Sequence, residues 1–262
     1  LSAFSLWGNY FVPPIQKPAV DSSTGFNVQP GFQVELVYQV DKKKYGSWIA
    51  MAFDKKGNLT VSDQQKAGTF SVVIPKEGEK FDASKIKKLK VDSSLYGMLY
   101  AFDHLYMMGN RKLSRARVLS DGTLGSTEFL AEMAGGGEHG PHSIIVSPDG
   151  KSIYVIAGNA TKAPNFENSR IPTNWKDDVL LQNYAYGHMS QGKAPGGWVM
   201  KMSPDGKERE MLNMGYRNPC DFALNRDGEL FGYDADMGGD IGAPWYRPTR
   251  INHGVSGGES GW

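Results

Sequence analysis

The chain repeats one template four times: a short apolar run, a tight polar turn and a second apolar run. The first copy reads Trp48-Ile49-Ala50-Met51-Ala52-Phe53, turns at Lys56-Gly57 and resumes at Leu59-Thr60-Val61. The second reads Met98-Leu99-Tyr100-Ala101-Phe102, turns at Asp103-His104 and resumes at Leu105-Tyr106-Met107. The third turns at Asp149-Gly150 between Ile144-Ile145-Val146 and Ile153-Tyr154-Val155; the fourth turns at Asp227-Gly228 between Phe222-Ala223-Leu224 and Leu230-Phe231. From the first apolar residue after each turn, the steps are 46, 48 and 77 residues. The first two match the ~40–50 residues of a four-stranded propeller blade. The third exceeds that step, and its surplus falls in the polar stretch 159–196. These repeats predict an all-β propeller.

A chain of 262 residues with 32 Gly and 14 Pro suits many short strands joined by turns in one large domain. Long amphipathic helices are missing from the pattern; residues 82–89 are weakly helical at most. The net charge of +1 gives no support to nucleic acid or an anionic membrane as partner. No stretch approaches the ~20 apolar residues of a membrane span. Cys220 stands alone, which excludes an internal disulfide and leaves cytoplasm and periplasm both open. The start lacks a basic n-region and an unbroken apolar core. Four repeats use most of the length, whereas propellers carry ~4–8 blades. The expectation is an incomplete propeller of four to five blades over 30–262, preceded by an N-terminal extension over 1–29, with further blades beyond Trp262.

Repeat arithmetic aims particular side chains at one place. In a hairpin, the start of the first strand and the end of the second lie at the same end. Thirteen residues before Leu230 stands Arg217; fourteen before Ile153, whose turn is one residue longer, stands His139; Gly46 holds the matching place in the first repeat. Counting forward gives Asp63, Gly158-Asn159, and Asp234 with Asp236. Arg217, Asn218, His139, Asn159, Asp234 and Asp236 therefore gather on one face, at the mouth of the shaft if the first strands line it. An imidazole can accept a proton near neutral pH. A guanidinium suits a carboxylate or a developing oxyanion. A plain surface histidine and an inter-blade salt bridge are the alternatives for His139 and Arg217.

The run Tyr233-Asp234-Ala235-Asp236-Met237-Gly238-Gly239-Asp240 packs carboxylates among glycines, as a calcium site would, without EF-hand spacing. Turn capping by the aspartates is the alternative, with Arg247 and Arg250 as neutralising partners if no metal binds. His188 and His253 read as structural and His104 as an exposed turn residue. Trp175, Trp198 and Trp245 read as packing residues or a substrate wall.

Taken together, Gly137-Glu138-His139-Gly140-Pro141-His142, Gly196-Gly197-Trp198, Gly215-Tyr216-Arg217-Asn218-Pro219 and the acidic loop running on to Pro244-Trp245-Tyr246 resemble a known group. It is the soluble PQQ-dependent glucose/sorbosone dehydrogenases, and within it the large secreted "membrane-bound dehydrogenase-like" proteins of planctomycete-type bacteria. The resemblance runs over 30–262. It implies a six-bladed β-propeller, secreted or periplasmic, carrying PQQ and Ca²⁺ and oxidising a sugar or other polyol. His139 is then the base, with His142 beside it. Arg217 contacts the cofactor with Asn218 beside it, and the metal falls on Asp236 and Met237; Asn159 on the same rim is a further candidate cofactor contact, and Asp234 and Asp240 of the same acidic run are further candidate metal ligands. An electron-accepting c-type haem domain outside this chain is an implied partner, although no Cys-x-x-Cys-His occurs here. The sequence departs from the group in placing His142 where Gly is commoner, and in its richly carboxylate loop. Two other readings stand beside the oxidoreductase: a Ca²⁺-dependent lactonase-like hydrolase, and a non-catalytic propeller that binds glycan or protein.

Overall fold

The computed structural model describes residues 19–21, 25–109, 111–172, 196–235 and 249–261. The chain divides into two units, Leu1–Gln39 and Val40–Trp262. In the first, β1 (Ala19–Asp21) pairs antiparallel with β2 (Phe26–Val28). Among the described residues the second unit is all-β apart from single turns of helix, and its four blades are arranged as a β-propeller in which no sheet closes on itself.

Blade one is β3 (Trp48–Phe53), β4 (Leu59–Asp63), β5 (Thr69–Val72) and β6 (Lys87–Lys88), paired in that order. Blade two is β7 (Leu95–Ala101), β8 (His104–Gly109), β9 (Lys112–Val118) and β10 (Leu124–Glu132). Blade three holds β11 (Pro141–Val146), β12 (Ile153–Ala157), β13 (Asn168–Ser169), β14 (Gly197–Met202) and β15 (Arg209–Tyr216) in the order β11-β12-β14-β15-β13. The two-residue β13 pairs parallel with β15 and comes from the stretch between β12 and β14. Blade four shows three strands among the described residues: β16 (Pro219–Leu224), β17 (Leu230–Asp234) and β18 (Arg250–His253).

The residue that opens most inner hairpin turns explains why the chain reverses there. Asp54 Oδ1 accepts from the amides of Lys56 and Asn58, and Asn225 Oδ1 accepts from those of Asp227 and Glu229. Ser147 Oγ accepts from the Ser152 amide in the longer third turn. A short polar side chain thus substitutes for a ladder partner where the backbone bends. Blade two differs from expectation. Its turn residues are Phe102 and Asp103, both with left-handed φ (50° and 56°), and His104 already belongs to β8, half-buried.

Packing explains the unbroken apolar runs. A blade between two neighbours buries both faces of its sheet, so successive residues, pointing oppositely, are both apolar. In β8, Tyr106 and Met108 pack with blade three, while Leu105 and Met107 pack with blade one. In β12, Ile153 and Val155 face blade two, while Ile156 faces blade four. The first strands touch in sequence around the centre: β3 against β7, β7 against β11, and β11 against β16.

Trp198, one of the two sequence readings for which was a substrate wall, lies in the core between blades two and three. It is 1% exposed, and its indole N–H donates to the Thr161 carbonyl at 2.9 Å. Trp198→Ala is expected to cost about 3–5 kcal/mol, the range for emptying a large aromatic site, read by urea denaturation. A change below about 1 kcal/mol would show that the site collapses or was loosely packed.

Candidate functional site

The site begins with three consecutive glycines, Gly135, Gly136 and Gly137, all at positive φ (102°, 130° and 81°). L-residues with a Cβ resist such a run. It lets the chain leave β10, fold back through a turn closed by Gly140 N–H to the Gly137 carbonyl (3.1 Å), and present His139 just before β11. The main chain then locks this loop to its neighbours. Gly158 N–H donates to the Gly140 carbonyl (2.9 Å), Ala160 N–H to the His139 carbonyl (3.2 Å) and Asn159 N–H to the Arg217 carbonyl (2.8 Å). Gly158 sits in the junction. A Cβ there would lie 2.6 Å from the His139 carbonyl oxygen and 3.2 Å from that of Arg217. Hairpins from two blades, together with the residues after β12, thus deliver His139, Asn159 and Arg217 to one rim.

His139 is 1% exposed, and its Nδ1 lies 2.7 Å from Asn159 Oδ1. An amide oxygen only accepts, so Nδ1 carries the proton, and in the neutral ring the lone pair is on Nε2. Nε2 is 3.6 Å from Glu138 Oε1, whose side chain is 66% exposed against 1% for His139. Asn159, expected as a cofactor contact, is also the residue that orients this imidazole. Counting from the turn brings the pair to one face, but the hydrogen bond between them has no sequence signal.

Arg217 is 6% exposed, and its Nη1 donates to the Ala235 carbonyl at 3.0 Å. Asp234 is completely buried. Its two oxygens accept from the backbone N–H groups of Arg217 (3.0 Å) and Asn218 (2.7 Å). Burial pushes the Asp234 carboxyl above its ordinary pKa, against the lowering pull of those amides and of Arg250 and Arg217. The first blade has the same device. Asp63, at the same register of β4, accepts from the amides of Ser47, Gln65 and Ala67. An aspartate ending the second strand clasps the entry to the first, which is the capping reading of this carboxylate.

His142 Nε2 lies 2.8 Å from Asn218 Oδ1, and its ring meets Tyr96 edge-on, with centroids 6.2 Å apart. Burial, opposed by hydrogen bonds with Asn218 and the Glu138 backbone, holds its pKa below the ordinary value of 6.5. The folded chain therefore resists a proton that the unfolded chain accepts. This contribution to stability is fully present above about pH 6.5 and is lost as pH falls through the lower folded-state pKa. Melting curves at pH 7.5 and 5.5 are expected to show a drop that His142→Gln flattens; an identical drop in the variant would refute the assignment.

Asp236, Met237 and Asp240 lie outside the described residues, as do His188, Trp175, Trp245 and Arg247. Among the described residues no group of three His, Cys, Asp or Glu side chains could hold a metal ion. With Asp234 spent on amides, the described part of the rim does not fit a cation. His253 pairs with Glu229 at 2.9 Å and stacks on Phe231, a structural place as read from sequence.

Fold and site together define an open propeller with an imidazole–guanidinium rim at one end of its inner strands. No protein-family model matches the chain, and no curated protein sequence matches it. Among solved structures it is similar to the PQQ-bound aldose sugar dehydrogenase of Streptomyces coelicolor (TM-score 0.53, 19% identity, 82% of this chain and 62% of that one). It is also similar to the calcium structure of the carbohydrate-active enzyme family AA12 protein of Trichoderma reesei (0.56, 12%, 82% and 54%). A third is the holo pyranose dehydrogenase PQQ domain of Coprinopsis cinerea (0.52, 11%, 82% and 52%). The chain spans between 52% and 62% of the length of these structures. At such identities the likeness establishes the propeller fold.

Proposed function

We propose that the chain carries the base-bearing rim of a quinoprotein-type oxidoreductase that oxidises a sugar or other polyol. The observation that carries this reading is the buried His139 imidazole, oriented by Asn159 at 2.7 Å and joined through Gly158 and Asn159 to Arg217. A general base needs a fixed lone pair, and an acidic quinone needs a fixed cation beside it. The rim supplies both. The solved structures of similar fold include PQQ-bound sugar dehydrogenases, which supports the same reading.

His139 Nε2 takes the proton of the substrate hydroxyl, and Asn159 stabilises the resulting imidazolium through the Nδ1 hydrogen bond. Low exposure strengthens that interaction by excluding water. Arg217 and Asn218 would hold PQQ, with the guanidinium opposite negative charge; the Asp234 clasp and the Ala235 carbonyl set the place of that corner. Bound PQQ supplies a two-electron acceptor for the hydride released by the carbinol carbon. Ca²⁺ would be held by Asp236, Met237 and Asp240, which lie outside the described residues. The same reading favours a secreted or periplasmic setting and a c-type haem domain as electron acceptor. No helix among the described residues is long and apolar enough to cross a membrane.

The test is dye-linked oxidation of an aldose panel by the intact protein loaded with PQQ and Ca²⁺. Quinone-dependent dye reduction with at least one sugar is expected. No reduction with any sugar would end the proposal, and lactone opening without quinone would favour the hydrolase.

A further inference from the structure

Each blade begins with the same irregularity. Where the inner strand meets the second strand, one extra residue is inserted: Ile49 between the pairs Trp48–Asp63 and Ala50–Ser62, and Tyr96 between Leu95–Gly109 and Gly97–Met108. His142 takes this place between Pro141–Ala157 and Ser143–Ile156, and Cys220 between Pro219–Asp234 and Asp221–Tyr233. A bulge re-aims its side chain and recurs at barrel rims and beside active sites. Four at one register are a built feature of the fold.

Their direction follows from contacts. A side chain on one face of blade three can touch only one neighbouring blade. His142 touches Tyr96 of blade two and Asn218 at the entry to blade four, so it stands on the inner edge, facing the shaft. Inner strands approach closely there: a Cβ on Gly97 would lie 2.5 Å from the His142 carbonyl oxygen. Tyr96 and His142 are half-buried, while Ile49 and Cys220 are exposed, so the collar is open to solvent on the side of the rim.

We infer that the four bulges form one ligand-contacting collar around the mouth of the shaft, with Tyr96 as its specificity-determining residue. This rests on reading the rim as a sugar-oxidising site. Tyr96 and His142 together offer an aromatic face with a polar edge, which matches a sugar ring with an apolar C–H face and a hydroxyl periphery. Ile49 and Cys220 border that wall on either side.

Cys220 provides a native reporter. In the intact protein, its alkylation by N-ethylmaleimide is followed by peptide mass mapping, with PQQ, glucose or sorbitol present. At tenfold excess over Kd, a ligand seated in the collar slows labelling by about tenfold. PQQ or glucose is expected to protect, and Tyr96→Ala is expected to weaken protection by glucose. The same variant is expected to raise KM for glucose about tenfold, moving kcat less, with Tyr96→Phe near wild type. If Tyr96→Ala does not fold, wild-type protection and the Tyr96→Phe rates decide. Protection without dye reduction overturns the oxidoreductase reading and keeps the collar. Dye reduction without protection, or with an unchanged KM in Tyr96→Ala, overturns the collar and keeps the oxidoreductase. Failure of both signals overturns both.

Discussion

Replacing His139 with Gln is expected to lower kcat for sugar oxidation by roughly 10²–10⁴-fold, the usual contribution of a positioned general base. Glutamine is near the size of imidazole and can still bond Asn159, so the rim keeps its shape while its proton acceptor is gone. The stability cost is expected near 1–3 kcal/mol, because a buried hydrogen-bonded group is exchanged for an imperfect one. Two companion variants separate orientation from basicity. Asn159→Ala removes the group that fixes the tautomer, and its loss should fall largely in kcat. Asn159→Asp places a carboxylate against Nδ1, favours the imidazolium, and should shift the acid limb of the rate profile upward. Steady-state dye reduction and thermal melts check all three, and a His139→Gln enzyme with wild-type kcat would remove the base from the account.

Asp234→Ala is expected to destabilise the chain by about 3–5 kcal/mol, the range for removing one partner from a buried charged network. Two backbone donors, on Arg217 and Asn218, would be left inside without acceptors. The buried guanidinium of Arg217 would also lose its neighbouring anion, and any folded fraction should have a displaced rim. Asp63→Ala is the control, because Asp63 clasps the first blade in the same way but touches none of the rim residues His139, Asn159 or Arg217. It should lower stability comparably, yet leave kcat/KM of the folded fraction within about threefold. Urea denaturation joined to rate measurements distinguishes the two. Equal loss of activity in both variants would mean that the Asp234 corner has no privileged link to the site.

The architecture was legible because hairpins with both faces buried leave continuous apolar runs. Leu105-Tyr106-Met107 and Ile153-Tyr154-Val155 could hardly be surface strands. Convergence of His139, Asn159, Arg217, Asn218 and Asp234 was also legible, since counting from the turn fixes which residues share an end, while Asp236 lies outside the described residues. The bulges were not. An extra residue such as Tyr96 sits within a run that reads as strand either way, and only the pairing register reveals it. The turn at Phe102-Asp103 was misplaced by one residue, because a phenylalanine at positive φ has no sequence signal. Asp234 was grouped with its acidic neighbours by proximity in sequence; its partners are amides some 16 residues earlier, brought close by the hairpin.

The proposed function requires Arg217 and His139 to share one quinone-binding rim. Calorimetric titration of PQQ into the intact protein and into Arg217→Gln tests it most directly. One site in the wild type, weakened at least about tenfold in the variant, is the expected result, since a charge-assisted contact contributes upward of ~1.4 kcal/mol. Equal affinity in the two proteins, or no heat of binding in the wild type, would contradict it.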